Sequence, residues 1–282
     1  MISDFPAIGT VHCLALEGAD ARPFAQAQFS GDVDALRPGH WRWNAWLDAQ
    51  GRIRALMHLA DLGEGRLLAL LRGGNAEIIR AALARYLFRL RVNLATESFT
   101  AQWGDPLPEG MARQESGVIV LGRGTRSLRL APLSASASPD PDLQRRWRLD
   151  EIRRGWPTLP SGEPEFLPSA LGLERLGAVA FDKGCYPGQE IAARLHYRGG
   201  HKWRLCRLRG SARLPVGEVR DAAGSAIAQV LDVAKAEDGF EALTVLRIGV
   251  SSEISLLGSV YVVESTFDTE PGLNHHGRPT IS

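Results

Sequence analysis

The sequence predicts an α+β protein whose C-terminal third is built from strands alone, and three observations carry that expectation. The first is size and composition: 282 residues at 44% hydrophobic and 23% charged suffice for a substantial core. At roughly 100–200 residues per domain, this means one large domain or two to three small ones. The second is a strand–helix–strand run over residues 66–99, the signature of an α/β layer unit. The third is a change of pattern near Trp203, after which helical periodicity stops and short apolar runs recur between turn residues.

Taken in order, residues 8–16 are β-compatible, and Asp20 is placed to cap a helix over 21–28. Trp41, Trp43 and Trp46 sit in a partly alternating strand that turns at Asp48-Ala49-Gln50-Gly51; core packing outweighs ligand stacking for these rings. Residues 66–71 form the next strand. Gly73-Gly74-Asn75 is a turn ending in an N-cap residue. A helix follows over 76–90, with Ile79, Leu83, Tyr86, Leu87 and Leu90 on one face. Strands are expected over 91–99, 117–121 and 127–130. Residues 131–142 (APLSASASPDPD) form a loop and 143–154 a helix, and Pro-rich coil covers 157–168. A helix from about Pro187 precedes the β region, whose strands fall at 205–209, 225–231, 242–248 and 259–263. The tail over 271–282 is expected to be disordered.

Composition excludes several classes. No run of about 18 apolar residues occurs, so no membrane-spanning helix is expected. A net charge of +1 argues against a surface that binds nucleic acid as a whole. Three scattered cysteines, Cys13, Cys185 and Cys206, do not make a disulfide framework or a structural zinc site. No metal site is expected. The N-terminal residues lack a basic-then-apolar signal, so the cytoplasm is the expected compartment.

One segment stands apart, Phe181-Asp182-Lys183-Gly184-Cys185-Tyr186-Pro187-Gly188-Gln189-Glu190. Glycines bracket Cys185 and a proline follows closely, which puts the thiol on a tight loop just before a helix start and near the Lys183 ammonium. Both features favour a nucleophilic thiolate. Glu190 and Arg194 are spaced for an i, i+4 ion pair. From Lys183 to Arg209 seven basic residues face one acid, so a polyanion would be attracted there. Tyr197 and Trp203 are too few interleaved aromatics to favour RNA.

Residues 183–190 resemble the K-G-C-Y-x-G-Q-E signature of the YgfZ family, folate-binding relatives of the T-protein (aminomethyltransferase) of the glycine cleavage system. Support comes from residues 24–33, which resemble that superfamily's F-L-Q-x-Q-x-T-x-D-V stretch, and from residues 46–53, which resemble its L-x-x-x-G-R-I strand turn. Residues 151–157 and 166–168 fall in the expected order, and the resemblance spans about residues 5 to 265.

The resemblance implies an aminomethyltransferase-like folate-binding fold with three subdomains in a ring. Residues 1–200 would be the folate-binding region, its two α/β subdomains interleaved and the second at about 52–112; residues 201–270 would be a C-terminal β-barrel. It implies tetrahydrofolate, or a one-carbon derivative, as cofactor, and iron–sulfur client or assembly proteins as partners. Cys185 would be the functional thiol. Lys183, Gly184, Tyr186, Gly188, Gln189, Glu190 and Arg194 would form the folate site. The expected function is therefore a folate-dependent accessory role in iron–sulfur cluster assembly or repair. Two alternatives remain, a folate-dependent aminomethyl transferase or demethylase and a non-catalytic binding module. The transferase is disfavoured because Arg54 and Ala55 stand where that enzyme carries an acidic pair, whose carboxylate would stabilise charge developing on the folate nitrogen.

Overall fold

The computed structural model describes residues 7–133, 138–160, 166–221, 223–249 and 253–267; the tail over 271–282 lies outside them. Eight strands share the first sheet: β1 (Ala7–Glu17), β2 (His40–Leu47), β3 (Ile53–Asp61), β4 (Arg66–Leu71), β5 (Asn93–Gly104), β6 (Ala112–Glu115), β7 (Val118–Gly122) and β8 (Ser127–Pro132). Their order is β2-β3-β4-β1-β5-β8-β7-β6, so β1 lies between β4 and β5 in the middle of the sheet, and every pairing is antiparallel. The outer strands approach each other through a bridge between His40 and Met111, which curls the sheet back on itself.

Both faces of this sheet are covered. Helices α1 (Ala21–Gln28) and α2 (Ala76–Ala84) pack on one face through Phe24, Ile79 and Leu83. The long α3 (Pro141–Arg154) lies against the other through Leu149 and Ile152, and its far side meets the second sheet. That second sheet holds β9 (Trp203–Gly210), β10 (Gly217–Arg220), β11 (Ala226–Ala236), β12 (Gly239–Arg247), β13 (Glu253–Leu256) and β14 (Ser259–Thr266), ordered β10-β11-β12-β9-β14-β13. Alternate residues of β9 serve different cores: Leu205 packs into the interface with α3, while Cys206 and Leu208 fill the sheet's own interior. Between the sheets run a short 3-10 turn (Pro168–Leu171) and α4 (Gln189–Arg198). Among the described residues no helix is long and apolar enough to cross a membrane.

Several local expectations are corrected. Asp20 precedes α1 but does not cap it, because its carboxylate accepts instead from the Arg91 backbone N–H at 2.8 Å. Asn75 does cap α2, accepting from Glu77 and Ile78 N–H. That helix stops at Ala84 rather than Leu90, leaving Tyr86 and Leu90 exposed instead of buried. Helix α3 begins at Pro141, capped by Asp140, inside the segment expected to be a loop. Helix α4 begins at Gln189, two residues after Pro187, because Gly188 takes a left-handed φ of 78°. Strand β3 escaped the periodicity reading because almost all of it is buried on both faces, which flattens any alternation.

Candidate functional site

The loop carrying Cys185 is fastened from four directions. Ser30 Oγ donates to the Ala178 carbonyl at 2.7 Å, and Ala180 N–H donates to the Ser30 carbonyl at 2.8 Å. Tyr186, 6% exposed, sits in the core and donates its hydroxyl to the Ala180 carbonyl at 3.0 Å; burial pushes its phenol well above the ordinary range. Gln189 reaches back to the Lys183 carbonyl at 3.4 Å.

The fourth fastening is Lys183 itself. Its ammonium donates to the carbonyls of Gln26 at 2.7 Å, Phe29 at 2.8 Å and Gly31 at 2.8 Å. Carbonyls at a helix end lack intrahelical partners, and a cation there also meets the negative end of the helix dipole. Burial pulls the amine down to about 8, opposed by Asp32 and Asp34. All three ammonium donors are thus spent on the end of α1 and the turn beyond it. Lys183 therefore positions the loop and has no donor left for a ligand.

Gly188 is also committed to the protein. A Cβ there would lie 2.5 Å from the Asp48 carbonyl oxygen and 2.8 Å from Gly51 Cα, so the loop presses directly on the β2–β3 hairpin. Asp48 shapes that hairpin by accepting from Gln50 and Arg52 N–H, both at 2.9 Å. Gly51, with φ 76°, in turn packs on Ile191 of α4. The Ile53 N–H bonds the Phe166 carbonyl at 2.9 Å, so the segments singled out at 46–53, 166–168 and 183–190 converge on one place.

What remains outward is Gly184, Cys185, Glu190 and Arg194. Cys185 is the exposed cysteine, whereas Cys13 and Cys206 are buried, and burial drives the Cys13 thiol far above its usual range. The two expected sources of thiol activation are directed elsewhere: the Lys183 ammonium faces α1, and α4 starts four residues downstream. Among the described residues no ion pair joins Glu190 to Arg194.

The basic run divides in the same way. Arg207 pairs with Glu264 at 3.3 Å and Arg209 with Asp238 at 3.4 Å, both on the second sheet. Arg194, Arg198 and Lys202 are exposed. His196 bonds Glu174 at 2.7 Å and stacks on Phe181 with ring centroids 4.2 Å apart, a structural role. Lys202 and His201 line a cleft of about 1060 Å³ between the 3-10 turn, the end of α4 and the second sheet; Phe166, Trp203, Ser169 and Gln229 line it too. Leu195 at the far end of α4 reaches this cleft, while Cys185 lies before the opposite end of that helix and is not part of the wall. Among the described residues no group of three His, Cys, Asp or Glu is placed to hold a metal ion.

Sequence reasoning missed a buried cage between the first sheet and α3. Arg123, 2% exposed, lies between the rings of Trp147 and Trp156 at 4.1 and 4.2 Å and pairs with Asp150 at 2.7 Å and Glu151 at 2.5 Å. Buried Arg72 pairs with the other oxygen of Glu151. His58 is enclosed by Trp41, Trp43 and Trp156; desolvation, then Arg72 and Arg123, hold it well below the usual imidazole range. These residues are scattered along the chain with no shared motif to reveal them.

No family model matches the chain. Curated relatives do. The tRNA-modifying protein YgfZ of Edwardsiella ictaluri is 29% identical over 234 residues, covering 71% of this chain and 69% of its own. That of Escherichia coli O127:H6 is 27% identical over 231 residues, covering 71% and 70%. Over about 70% of its length the chain is similar to the YgfZ proteins. An aminomethyltransferase T of the glycine cleavage system from Bartonella henselae has the same fold, with a TM-score of 0.65 at 14% identity over 95% of this chain and 87% of that one. The expected α+β, aminomethyltransferase-like architecture therefore holds. Ala55 is fully buried in the core under α1 and α2, and Arg54 is exposed.

Proposed function

We propose that this chain is a tetrahydrofolate-binding accessory protein that supports assembly or repair of iron–sulfur clusters in client enzymes, and through them the tRNA modification for which its relatives are named. The observation that carries the reading is Cys185, an exposed thiol on a loop held by Lys183, Tyr186, Gln189 and Gly188. A rigid mount with a free sulfur at its tip suits a single thiolate offered to a partner or its cluster.

The cleft suits a reduced pterin with a glutamyl tail. Its size is ample, Trp203 and Phe166 provide apolar ring faces, Ser169 and Gln229 provide polar partners, and Lys202 and His201 provide cationic ones for carboxylates. When bound, the folate supplies a carrier for a one-carbon unit. Lys183, Tyr186 and Gly188 support this arrangement as positioning residues. The transferase alternative lacks its carboxylate: the acid lining the cleft, Glu218, is paired with Arg220 at 2.5 Å.

Calorimetric titration with tetrahydrofolate tests the first half, comparing wild type with Trp203→Ala. Binding weakened about tenfold or more in the variant, at unchanged folding, is expected; no heat from the wild type ends the folate reading. For the second half, Cys185→Ser is returned to cells lacking the natural copy, with iron–sulfur enzyme activity as readout. Loss of rescue with folate affinity retained is expected, and full rescue removes the thiol from the function.

A further inference from the structure

The helix that stops early leaves a distinctive surface behind it. Residues 85–91 read Arg-Tyr-Leu-Phe-Arg-Leu-Arg. Phe88 is 78% exposed and Tyr86 50%, so two rings stand out from the surface just past the end of α2. Tyr86 is anchored edge-on against the buried Trp46 ring at 6.4 Å. Leu87 turns inward to the core under α2. Arg89, held at a positive φ of 59°, lays its guanidinium over the Phe88 ring at 5.0 Å. A left-handed φ is unfavourable for a non-glycine residue.

The charges here are unevenly committed. Arg80 is paired with Glu77 and Arg91 with Asp20, which uses the carboxylates of the neighbouring segments. Arg85 and Arg89 are exposed and have no carboxylate partner among the described residues. Two exposed rings flanked by guanidiniums that lack carboxylate partners match stacked bases linked by phosphates. A protein partner would ask for a contiguous apolar centre, and here the exposed rings are separated by Leu87, which faces the core.

We propose that residues 85–91 bind a single-stranded stretch of RNA, with Tyr86 and Phe88 stacking on bases and Arg85 and Arg89 contacting phosphates. The surface is distinct in sequence from the basic run at 183–209. It is also independent of the folate cleft, none of whose lining residues belong to it.

Fluorescence anisotropy with a short labelled single-stranded RNA tests this, with the same sequence as a duplex for comparison. Preference for the single strand is expected, with about a tenfold loss on Phe88→Ala. The double variant Arg85→Gln/Arg89→Gln should make the slope of log affinity against log salt shallower by about 1.4, as two lost phosphate contacts require. All three residues are exposed, so melting temperatures should not change. Four results would each overturn the proposal: no binding by the wild type, equal affinity for the duplex, affinity unchanged in these variants, or the loss falling instead on Arg194→Gln/Arg198→Gln. Unchanged RNA affinity with loss of a purified protein partner would reassign the surface to protein.

Discussion

The signature loop and the buried cage place cations in the same kind of arrangement with opposite outcomes. In the loop, Lys183 binds carbonyls that a helix end leaves over, and the result is an exposed sulfur on a fixed base. In the cage, Arg72 and Arg123 share Glu151 among tryptophan rings and nothing is presented outward. The difference lies in the acceptors. Neutral carbonyls at a surface let the amine stay half-buried, while deeply buried guanidiniums need a full opposite charge. A conspicuous cation is therefore evidence of function only after its acceptors are known.

The sharpest test of this contrast is Glu151→Gln, which leaves buried Arg72 facing a neutral amide while Arg123 keeps only Asp150. A loss of about 3–5 kcal/mol in urea unfolding is expected, and a loss below about 1 kcal/mol would mean the cage is held by its rings alone. Lys183→Met should cost less, about 2 kcal/mol, because its carbonyls can partly hydrate. Hydrogen exchange should quicken around Phe29 and Gly31 while the six-stranded sheet is unchanged. If only folate binding falls and exchange does not move, Lys183 is a ligand and not a brace.

The smallest effect is in pH. His58 is kept neutral when folded and regains an ordinary value near 6.5 when unfolded. Below that pH the unfolded state binds the extra proton, so stability falls as pH falls, by at most about 1.4 kcal/mol per unit. His58→Phe should flatten that part of the profile; a profile identical to wild type would place the acid sensitivity elsewhere.

Much of the frame was legible in the chain: the α/β pattern, the Asn75 cap, the burial of Trp41, Trp43 and Trp46, and the change to strands at Trp203. The exposure of Cys185 was legible too, because glycines and a proline crowd it. The partners of Lys183 were not, since they lie more than 150 residues away in sequence. Helix α2 was over-extended for a physical reason. Tyr86, Leu87 and Leu90 keep helical spacing, but Leu87 alone of the three turns into the core, so spacing survives without the packing that would make it a helix.

The glycine-to-glycine approach of Gly51 and Gly188 ties the length of one hairpin to the aim of the sulfur. A residue inserted between Asp48 and Arg52 would have nowhere to go except against the mount, tilting the thiol away from whatever docks there. Homologous chains should therefore keep both small residues and the four-residue turn together, or abandon all three at once.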